Sequence, residues 1–454
     1  MEWLALVLFA VIFIALLIGF PVALTLAGTS LLFALIANAF GAFDMAFLQS
    51  IPSRIFGIMS NQILIAVPLF IFMGVMLEKS KIAENLLQTM DEVMRGIKGG
   101  LGIAVIIVGM LLAASTGIVG ATVVTMGLLA LPTMLKQGYC PRIASGTICA
   151  SGTLGQIIPP SIVLILLGDV LSSSYQQAQL NQGIFSPESL SVGDLFIGAL
   201  LPGMILVVLY MLYMFYKAMT RPDLIPNNIG EPVAPGLAKR VLKSLLPPLS
   251  LILLVLGSIL GGFATPTEAA SLGALGALLL AILNKQLSFN TLNAVMRNTL
   301  QVTSMIFMIF IGAAFFALVF KGLGGDELIT ELLTGLPGGV FTAMLIVMAL
   351  MFVLGFFLDF IEITYVVVPV VAPVLLMMGV DPIWLGIMIA INLQTAFLTP
   401  PFGFALFYLK GVASHLKTTD LYKGVIPFIM IQLSVLVLIA IFPELVTWLP
   451  SLVY

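Results

Sequence analysis

Long, continuous apolar stretches dominate this sequence and restrict the folds that it can adopt. A membrane-spanning helix needs about 20 mostly apolar residues, and the chain offers roughly ten to twelve such stretches. Clear examples are Leu4 to Phe20, Leu195 to Tyr216, Leu246 to Phe263 and Val425 to Phe442. They lack the alternation of apolar and polar residues that is typical of membrane β-strands. The sequence therefore predicts an all-α protein that crosses the membrane many times.

Composition agrees with this class and argues against others. Of the 454 residues, 61% are hydrophobic and 8% are charged, which is too apolar for a soluble fold. The formal net charge of −2 offers no clustered basic face for a nucleic acid. An intramembrane zinc protease would need a cluster such as His-Glu-x-x-His, and His415 is the only histidine. An aspartyl protease would need two intramembrane aspartates, and only Asp359 clearly qualifies. We therefore do not expect an enzyme.

The distribution of Lys and Arg predicts the orientation of the spans. The connection from Lys217 to Lys243 is rich in both residues and is placed on the cytoplasmic side. The connection from Ser172 to Asp194 contains neither and is placed outside. Counting spans from these loops, with two apolar stretches that enter and return without crossing, puts all 18 basic residues inside except Arg54 and Lys321. The first forty residues form either two short spans or one long bent helix.

An internal repeat supports the two re-entrant stretches. Residues Pro132 to Ser161 align without gaps on Pro373 to Phe402, and Asn61 to Gly74 resembles Asn298 to Gly312. Most identities are Gly or Pro, which determine backbone shape. The identical pairs are Pro132/Pro373, Leu135/Leu376, Gly138/Gly379, Pro141/Pro382, Ile148/Ile389, Pro159/Pro400 and Pro160/Pro401.

The two repeats are predicted to be inverted with respect to each other. The topology places the turn Lys136 to Arg142 inside and its counterpart, Met377 to Ile383, outside. Each repeat contains a spanning helix, an amphipathic stretch (Glu78 to Lys98; Lys321 to Leu336), a re-entrant hairpin and a broken helix. Inverted repeats with paired broken helices are typical of secondary transporters, which bind substrate and ions at the breaks.

Each broken helix contains two consecutive prolines, Pro159–Pro160 and Pro400–Pro401. Prolines lack a backbone donor, so carbonyls of the preceding turn need another partner. A Na⁺ ion is a suitable partner because hard cations take oxygen ligands. The hydroxyls of Thr153, Thr395 and Thr399 could complete such a site. A plain proline kink is the alternative.

The tips of the two hairpins are the other candidates for a binding role. The first hairpin is interrupted by small and hydroxyl residues at Ala114 to Gly117 and at Gly120 to Thr122. The second carries Asp359 and Glu362 within an apolar run, where a carboxylate is by default a functional hypothesis. Asp359 could bind a cation or hold the tip through backbone N–H groups. Glu362 could lie on the same face or point into a cavity. Structural pairing or snorkelling is the alternative for both carboxylates.

At this level of detail the chain resembles the large membrane (DctM-like, M) subunit of tripartite ATP-independent periplasmic (TRAP) transporters. The resemblance covers essentially the whole chain. It implies a protein of the bacterial inner membrane, an elevator mechanism, coupling to two or more Na⁺ ions, a small four-helix (DctQ-like) subunit and a periplasmic binding protein. The motifs that carry it are GTLGQIIPPS at Gly152 to Ser161, GFFLDF at Gly355 to Phe360, LTPPFG at Leu398 to Gly403, AVPLFIFMG at Ala66 to Gly74 and ATPTEAA at Ala264 to Ala270.

The resemblance also implies site residues by position, although Ser115-Thr116-Gly117 and Phe360-Ile361-Glu362 depart from the commoner family pattern. The residues implied for Na⁺ are Ser115, Thr116, Gly117, Gly152, Gly155 and Pro159 in one site and Asp359, Thr395, Thr399 and Pro400 in the other. Those implied for the substrate are Ser115, Thr122, Ser161, Glu362 and Gly403.

The expected architecture is that of the ion-transporter superfamily, with an elevator-type transport domain and a scaffold. The expected function is sodium-coupled uptake of a small organic acid delivered by a binding protein. The alternative is a stand-alone sodium/anion carrier without a binding protein. The predicted segments are N-terminal scaffold helices (1–60), repeat one (61–171), an outer loop with scaffold helices (172–297), repeat two (298–412) and a C-terminal scaffold helix (413–454).

Overall fold

The computed structural model describes residues 3–225 and 236–453 of the chain. Within these ranges the secondary structure is helical and no strand is present. Among the described residues, eight helices are long and apolar enough to cross a membrane. This confirms the prediction of an all-α, multi-pass membrane protein. Part of the predicted inner connection Lys217 to Lys243, namely residues 226–235, lies outside the described residues.

The N-terminal part of the chain forms helices that match the predicted apolar runs. The first forty residues form two helices with a break at Gly19, whose φ is +96°, as in the first of the two alternatives. The helices are α1 (Trp3–Leu17), α2 (Val22–Ala39), α3 (Ile51–Ser60), α4 (Ala66–Lys79), α5 (Ile82–Val93), α6 (Gly100–Thr116), α7 (Val119–Lys136), α8 (Pro141–Thr153) and α9 (Ile162–Asn181).

The remaining helices include the longest of the chain. A π-helical turn, Ile363–Val367, interrupts the second hairpin. The helices are α10 (Val192–Thr220), α11 (Leu237–Leu260), α12 (Pro266–Leu283), α13 (Phe289–Gly322), α14 (Gly325–Thr334), α15 (Gly339–Leu354), α16 (Phe360–Glu362), α17 (Val368–Met377), α18 (Pro382–Leu398), α19 (Phe404–Val412), α20 (Thr418–Ile441) and α21 (Glu444–Val453).

Local sequence signals explain where several helices begin. Pro141 and Pro382 are the first residues of α8 and α18, where a missing N–H costs nothing. At the start of α12, Glu268 accepts a hydrogen bond from the Thr265 N–H at 2.8 Å, and the Thr265 hydroxyl accepts one from the Glu268 N–H. This reciprocal capping box stabilises the helix start. Glu268 is therefore a structural cap.

The chain divides into two compact units. The first comprises Met1–Ile65, Leu166–Ser191 and Leu300–Leu385. It contains the α1–α2 pair, the amphipathic α14 and the second hairpin, which consists of α15, α16, the π-turn and α17. Aromatic contacts help to hold it together, including the edge-on pair Phe13–Phe357 with centroids 5.8 Å apart.

The second unit comprises Ala66–Ile165, Val192–Thr299 and Gly386–Tyr454. In it α6 and α7 form the first hairpin, and α8 packs against α6, α7 and α20. Glycines allow the closest of these approaches: a Cβ on Gly146 of α8 would lie 2.2 Å from the Gly424 carbonyl oxygen of α20. The five-segment division expected from the sequence stays a prediction.

Candidate functional site

The tip of the first hairpin is a tight turn at the end of α6. Gly117 adopts a φ of +63°, which a residue with a side chain adopts only with strain, and its N–H donates to the Ala113 carbonyl at 2.9 Å. The Ser115 hydroxyl lies 2.9 Å from the carbonyl oxygens of both Leu111 and Leu112 and donates to them. The hydroxyl oxygen keeps lone pairs that can accept a donor or ligate a cation.

Two hydroxyls connect the limbs of this hairpin. The Thr116 and Thr122 hydroxyl oxygens lie 2.8 Å apart, at the end of α6 and the start of α7. Thr122 also donates to the Ile118 carbonyl at 3.2 Å. Both threonines are buried. This contact fixes the geometry of the tip without any charged group.

The break in the first interrupted helix follows α8. A 3-10 turn, Leu154–Gln156, ends α8, and the chain then passes Pro159 and Pro160 before α9 begins. Neither proline can donate to the carbonyls of the turn before it. The Gln156 carbonyl instead accepts a hydrogen bond from the Ser161 hydroxyl at 3.0 Å. The Pro159–Pro160 peptide bond is cis.

The hairpin tip and the helix break pack directly against each other. A Cβ on Gly155 would lie 3.4 Å from both the Cβ and the carbonyl oxygen of Ala113, and one on Gly117 would lie 3.0 Å from Ile162. A Cβ on Gly152 would lie 2.3 Å from Val123. The residues implied for the first Na⁺ site all belong to this second unit, in the tip and the break: Ser115, Thr116, Gly117, Gly152, Gly155 and Pro159.

A buried amide lies in the same break. Gln156 is fully buried, and neither its amide nitrogen nor its amide oxygen has a hydrogen-bond partner in the described part of the chain. An unpaired buried amide is costly and needs an explanation such as a bound ligand or ion. The sequence placed Gln156 inside a motif without singling it out, and its polarity between Gly155 and Ile157 was the available signal.

In the first unit, the two carboxylates of the second hairpin cap each other's backbone. The Asp359 carboxylate accepts the Phe360 N–H at 2.7 Å, and Glu362 accepts the Asp359 N–H at 3.1 Å. These bonds are part of a capping box at the start of α16. Asp359 therefore has one of the two roles considered for it: its carboxylate holds the tip through backbone N–H groups. The Glu362 carboxylate serves the same tip.

Glu362 faces an apolar surrounding within its unit. It is 6% exposed and lines a cavity of about 10 Å³ together with Phe13, Leu26, Leu358 and Val366. A cavity of this size holds at most one water molecule. An organic acid therefore does not fit in it.

The second break, in the second unit, follows α18. The Thr395 hydroxyl donates to Ile391, and the Thr399 hydroxyl donates to the Thr395 carbonyl, each at 2.7 Å. Both hydroxyl oxygens keep lone pairs for a further partner. Pro400 and Pro401 follow, joined by a cis peptide bond.

Position 403, just after this break, has no room for a side chain. A Cβ on Gly403 would lie 2.7 Å from the Phe397 carbonyl oxygen. Among the implied residues, Asp359 and Glu362 belong to the first unit, and Thr395, Thr399, Pro400 and Gly403 belong to the second. The second Na⁺ site and the substrate contacts stay predictions.

The second unit also contains a polar cluster that the sequence did not reveal. The Gln432 amide of α20 donates to the Tyr210 hydroxyl of α10 at 2.8 Å and to the Thr153 hydroxyl of α8 at 3.4 Å. All three residues are fully buried. They link the last turn before the helix break to two long helices.

A second polar cluster lies in the first unit. The Asp169 carboxylate of α9 accepts hydrogen bonds from the Asn61 amide at 2.8 Å and from the Tyr365 hydroxyl at 3.1 Å. Tyr365 lies in the π-turn of the second hairpin and stacks on Phe310 with ring centroids 4.1 Å apart. The cluster connects α9 with the second hairpin.

Known proteins resemble this chain in sequence or in fold. Residues 9–445 match the family model described as "Tripartite ATP-independent periplasmic transporter, DctM component". The C4-dicarboxylate TRAP transporter large permease protein DctM of Vibrio cholerae is 28% identical over 98% of this chain and 97% of its own. The ectoine/5-hydroxyectoine TRAP transporter large permease protein UehC of Ruegeria pomeroyi is also 28% identical, over 98% and 99%. The YdaH transporter of Alcanivorax borkumensis shares the fold, with a TM-score of 0.62, 15% identity and coverage of 87% and 88%.

Eight described helices are long and apolar enough to cross a membrane, and the relatives are bacterial TRAP permeases, so this is a multi-pass protein of the bacterial inner membrane. The family match extends over nearly the whole chain. The chain belongs to the DctM family and is a large permease subunit of a TRAP transporter rather than an enzyme.

Proposed function

We propose that this permease carries a small organic acid inward together with Na⁺ ions, after a periplasmic binding protein has delivered the acid. The observation that carries the proposal is the packing of the first hairpin tip against the helix break. There, Gly155 lies against Ala113, two residues before Ser115, and the unpaired amide of Gln156 follows Gly155 directly in the chain. Buried hydroxyl, carbonyl and amide oxygens of this kind suit a dehydrated hard cation.

The proposed Na⁺ site would use groups of the first hairpin and of the break. Ser115 and Thr116 would supply hydroxyl oxygens, and Gly152, Gly155 and Pro159 would supply carbonyls. A second Na⁺ ion would bind near Thr395, Thr399 and Pro400 of the second unit. Asp359 of the first unit is a separate candidate for a cation role. Ser161, Thr122 and Gly403 of the second unit would contact the substrate. Glu362 of the first unit is a separate candidate for a substrate contact, provided that it leaves its capping position.

The proposed movement is that of an elevator, in which the two repeats slide against the remaining helices. Two segments of the chain have the same order of elements, which supports this proposal. In each, a helix, a short amphipathic helix, a hairpin and a helix broken at Pro-Pro follow one another. Secondary transporters with inverted repeats move one bundle against the other around such breaks.

The proposed partners follow from the family. Its description as one component of a tripartite periplasmic transporter implies a binding protein and a small membrane subunit. A relative from Oleidesulfovibrio alaskensis is named isethionate TRAP transporter permease protein DctMQ, a name that joins two components, and this chain covers 65% of its length. The substrates in the relatives' names are C4-dicarboxylate, isethionate and ectoine. All carry an anionic group, so we propose an organic acid.

The test is uptake into proteoliposomes that contain this chain and its small partner subunit. Labelled C4-dicarboxylates, isethionate and ectoine would be supplied with candidate binding proteins, with and without an inward Na⁺ gradient. We expect accumulation only when both the binding protein and the gradient are present. Gradient-driven uptake without any binding protein would instead identify a stand-alone carrier.

Two variants test the ion sites in the same assay. We expect Thr399→Val and Asp359→Asn to lower Na⁺-driven uptake by about tenfold, the effect of losing about 1.4 kcal/mol of ion binding. Thr133→Val is a matched control, because the Thr133 hydroxyl also donates to a carbonyl four residues earlier but lies in α7 away from the break. Equal uptake by the unmodified protein with and without the Na⁺ gradient would contradict the coupling.

A further inference from the structure

Two cavities lie beside the amphipathic helix α5 and the start of α11. One, of about 270 Å³, has a mainly polar lining that includes Thr89 and Glu92 of α5 and Arg240 and Lys243 of α11. The other, of about 450 Å³, is lined by Val93 of α5 and by apolar residues of α11. Lys243 lines the polar cavity and Leu246 lines the apolar one. Residues three apart on a helix are neighbours, so the two linings meet on the exposed side of α11 at these two residues.

The polar cavity has the chemistry of an anion site. Arg240 makes a two-point ion pair with Glu92, with N···O distances of 3.1 and 2.8 Å. These two charges cancel. Lys243 has no carboxylate within ion-pair distance in the described part of the chain. The cavity therefore carries one uncompensated positive charge, which matches one phosphodiester group.

Neutral donors surround this charge. The amides of Asn85 and Asn284 line the same cavity. The hydroxyls of Thr89 and Ser244 lie 3.0 Å apart and bridge α5 and α11. The Arg240 guanidinium keeps N–H groups that Glu92 does not use, since it has five in total. Hydroxyl, amide and guanidinium donors together are suited to phosphate oxygens.

The apolar cavity continues along α11. Its lining includes Leu242, Leu245, Leu246 and Leu249, which recur at helical spacing on one side of α11. Leu242 and Leu246 are 61% and 52% exposed. Arg240, Lys243, Ser244 and Pro247 recur with the same spacing on the polar side. The start of α11 therefore offers a polar surface and an apolar surface next to each other.

We propose that the two cavities together bind one anionic phospholipid. Its phosphate would lie beside Arg240 and Lys243, and one acyl chain would lie along the leucines of α11. A free phosphate has the same headgroup chemistry but would leave the leucines uncovered, which favours the lipid. Basic pockets between helices on the cytoplasmic side bind anionic lipid headgroups in other membrane proteins. The Lys and Arg distribution predicts the cytoplasmic side for this end of α11.

The test measures lipid binding to the purified full-length chain, independently of transport. Thermal unfolding in detergent would be followed during titration with phosphatidylglycerol, phosphatidylcholine, glycerophosphoglycerol and inorganic phosphate. Glycerophosphoglycerol has the headgroup without acyl chains. Native mass spectrometry would count the lipids that stay bound. We expect phosphatidylglycerol alone to raise Tm and to be retained at one molecule per chain.

Three variants locate the site. Lys243→Gln should weaken phosphatidylglycerol binding roughly fivefold, the effect expected of one basic residue near a membrane surface. Lys243→Arg should restore it. Lys239→Gln is the matched control, because Lys239 lies on α11 but does not line the cavity, and it should bind as the unmodified protein does.

Each other outcome overturns the proposal. An equal response to phosphatidylcholine would show that the headgroup is not recognised. An equal response to phosphate or glycerophosphoglycerol would show an anion site without a lipid chain. An equal loss in Lys239→Gln would show only general attraction between α11 and anionic lipid.

Discussion

Gly74 of α4 approaches Thr116 so closely that a Cβ at position 74 would lie 2.6 Å from the Thr116 Cα and 3.0 Å from its carbonyl oxygen. The obstructing atoms belong to the backbone of the first hairpin tip. They cannot move aside as the end of a flexible side chain can. The absence of a side chain at Gly74 therefore allows α4 to pack directly against the backbone of the hairpin tip.

Gly74→Ala should displace the hairpin tip and destabilise the protein. Overpacking of this kind costs about 1–3 kcal/mol of unfolding free energy, so we expect a lower Tm in detergent. Gly257→Ala is the control, because nothing lies within 4 Å of a Cβ at position 257 of α11. A Tm for Gly74→Ala as high as that of Gly257→Ala would contradict the close contact.

Gln156→Leu should separate stability from function. The amide makes no hydrogen bond with the described residues, so an apolar side chain of similar size removes a desolvation cost and should leave Tm equal or higher. If the amide contacts an ion or substrate, Na⁺-driven uptake falls by about tenfold, which corresponds to about 1.4 kcal/mol. Uptake at the unmodified level would rule out a ligand role for Gln156.

Gln432→Leu should have the opposite effect on stability. It removes the donor to the Tyr210 hydroxyl and leaves that buried group without this partner. The expected cost is about 1–3 kcal/mol of unfolding free energy, measured as a lower Tm. The double variant Gln432→Leu/Tyr210→Phe should recover part of the loss, because both polar groups are then absent. Additive losses would show that the two side chains are not coupled.

Substitutions at Asp359 should distinguish its capping role from an ionic role. Asp359→Ala removes the acceptor for the Phe360 N–H and should cost about 1 kcal/mol. Asp359→Asn keeps an acceptor oxygen and should unfold near the temperature of the unmodified protein. A large loss of uptake in the Asn variant at normal Tm would assign a role to the negative charge. Normal uptake in that variant would leave Asp359 as a structural cap.

Tyr365→Phe should weaken the connection between α9 and the second hairpin. Asp169 then loses the donor to one of its carboxylate oxygens, and we expect a loss of about 1–3 kcal/mol, measured as a lower Tm. Tyr175→Phe is a suitable control, since Tyr175 lies on α9, the helix that carries Asp169, but outside the cluster. Equal Tm values for the two variants would show that the Asp169 contact contributes nothing.

The sequence predicts helices and their interruptions well because both depend on local composition. Apolar runs of spanning length became helices, and the prolines at 159–160 and 400–401 lie at the breaks. The predicted helix ends were less accurate where charged residues form part of a helix. The structure starts α11 at Leu237, nine positions before the apolar run at Leu246, because Arg240 and Lys243 lie on its polar side within a regular helix.

The side-chain clusters could not be predicted in the same way. Asn61 and Tyr365 are 108 and 196 positions from Asp169, and only the tertiary fold brings them together. The mutual capping of Asp359 and Glu362 is different, because Asp-x-x-Glu before an apolar run is a recognisable helix-start pattern. Because these residues are carboxylates within an apolar run, we interpret them from the sequence by their charge and not by their three-residue spacing.

The π-turn in the second hairpin bears on how this segment tolerates changes in length. A π-turn carries one residue more than an α-helical turn. An ordinary helix that loses one residue rotates everything beyond the deletion by about 100°. In the turn Ile363–Val367, the wide turn can instead relax to an α-turn and absorb the loss. A one-residue deletion there would leave the carboxylates before the turn and the prolines after it facing as they do now, whereas the same deletion in α15 would turn the whole tip away.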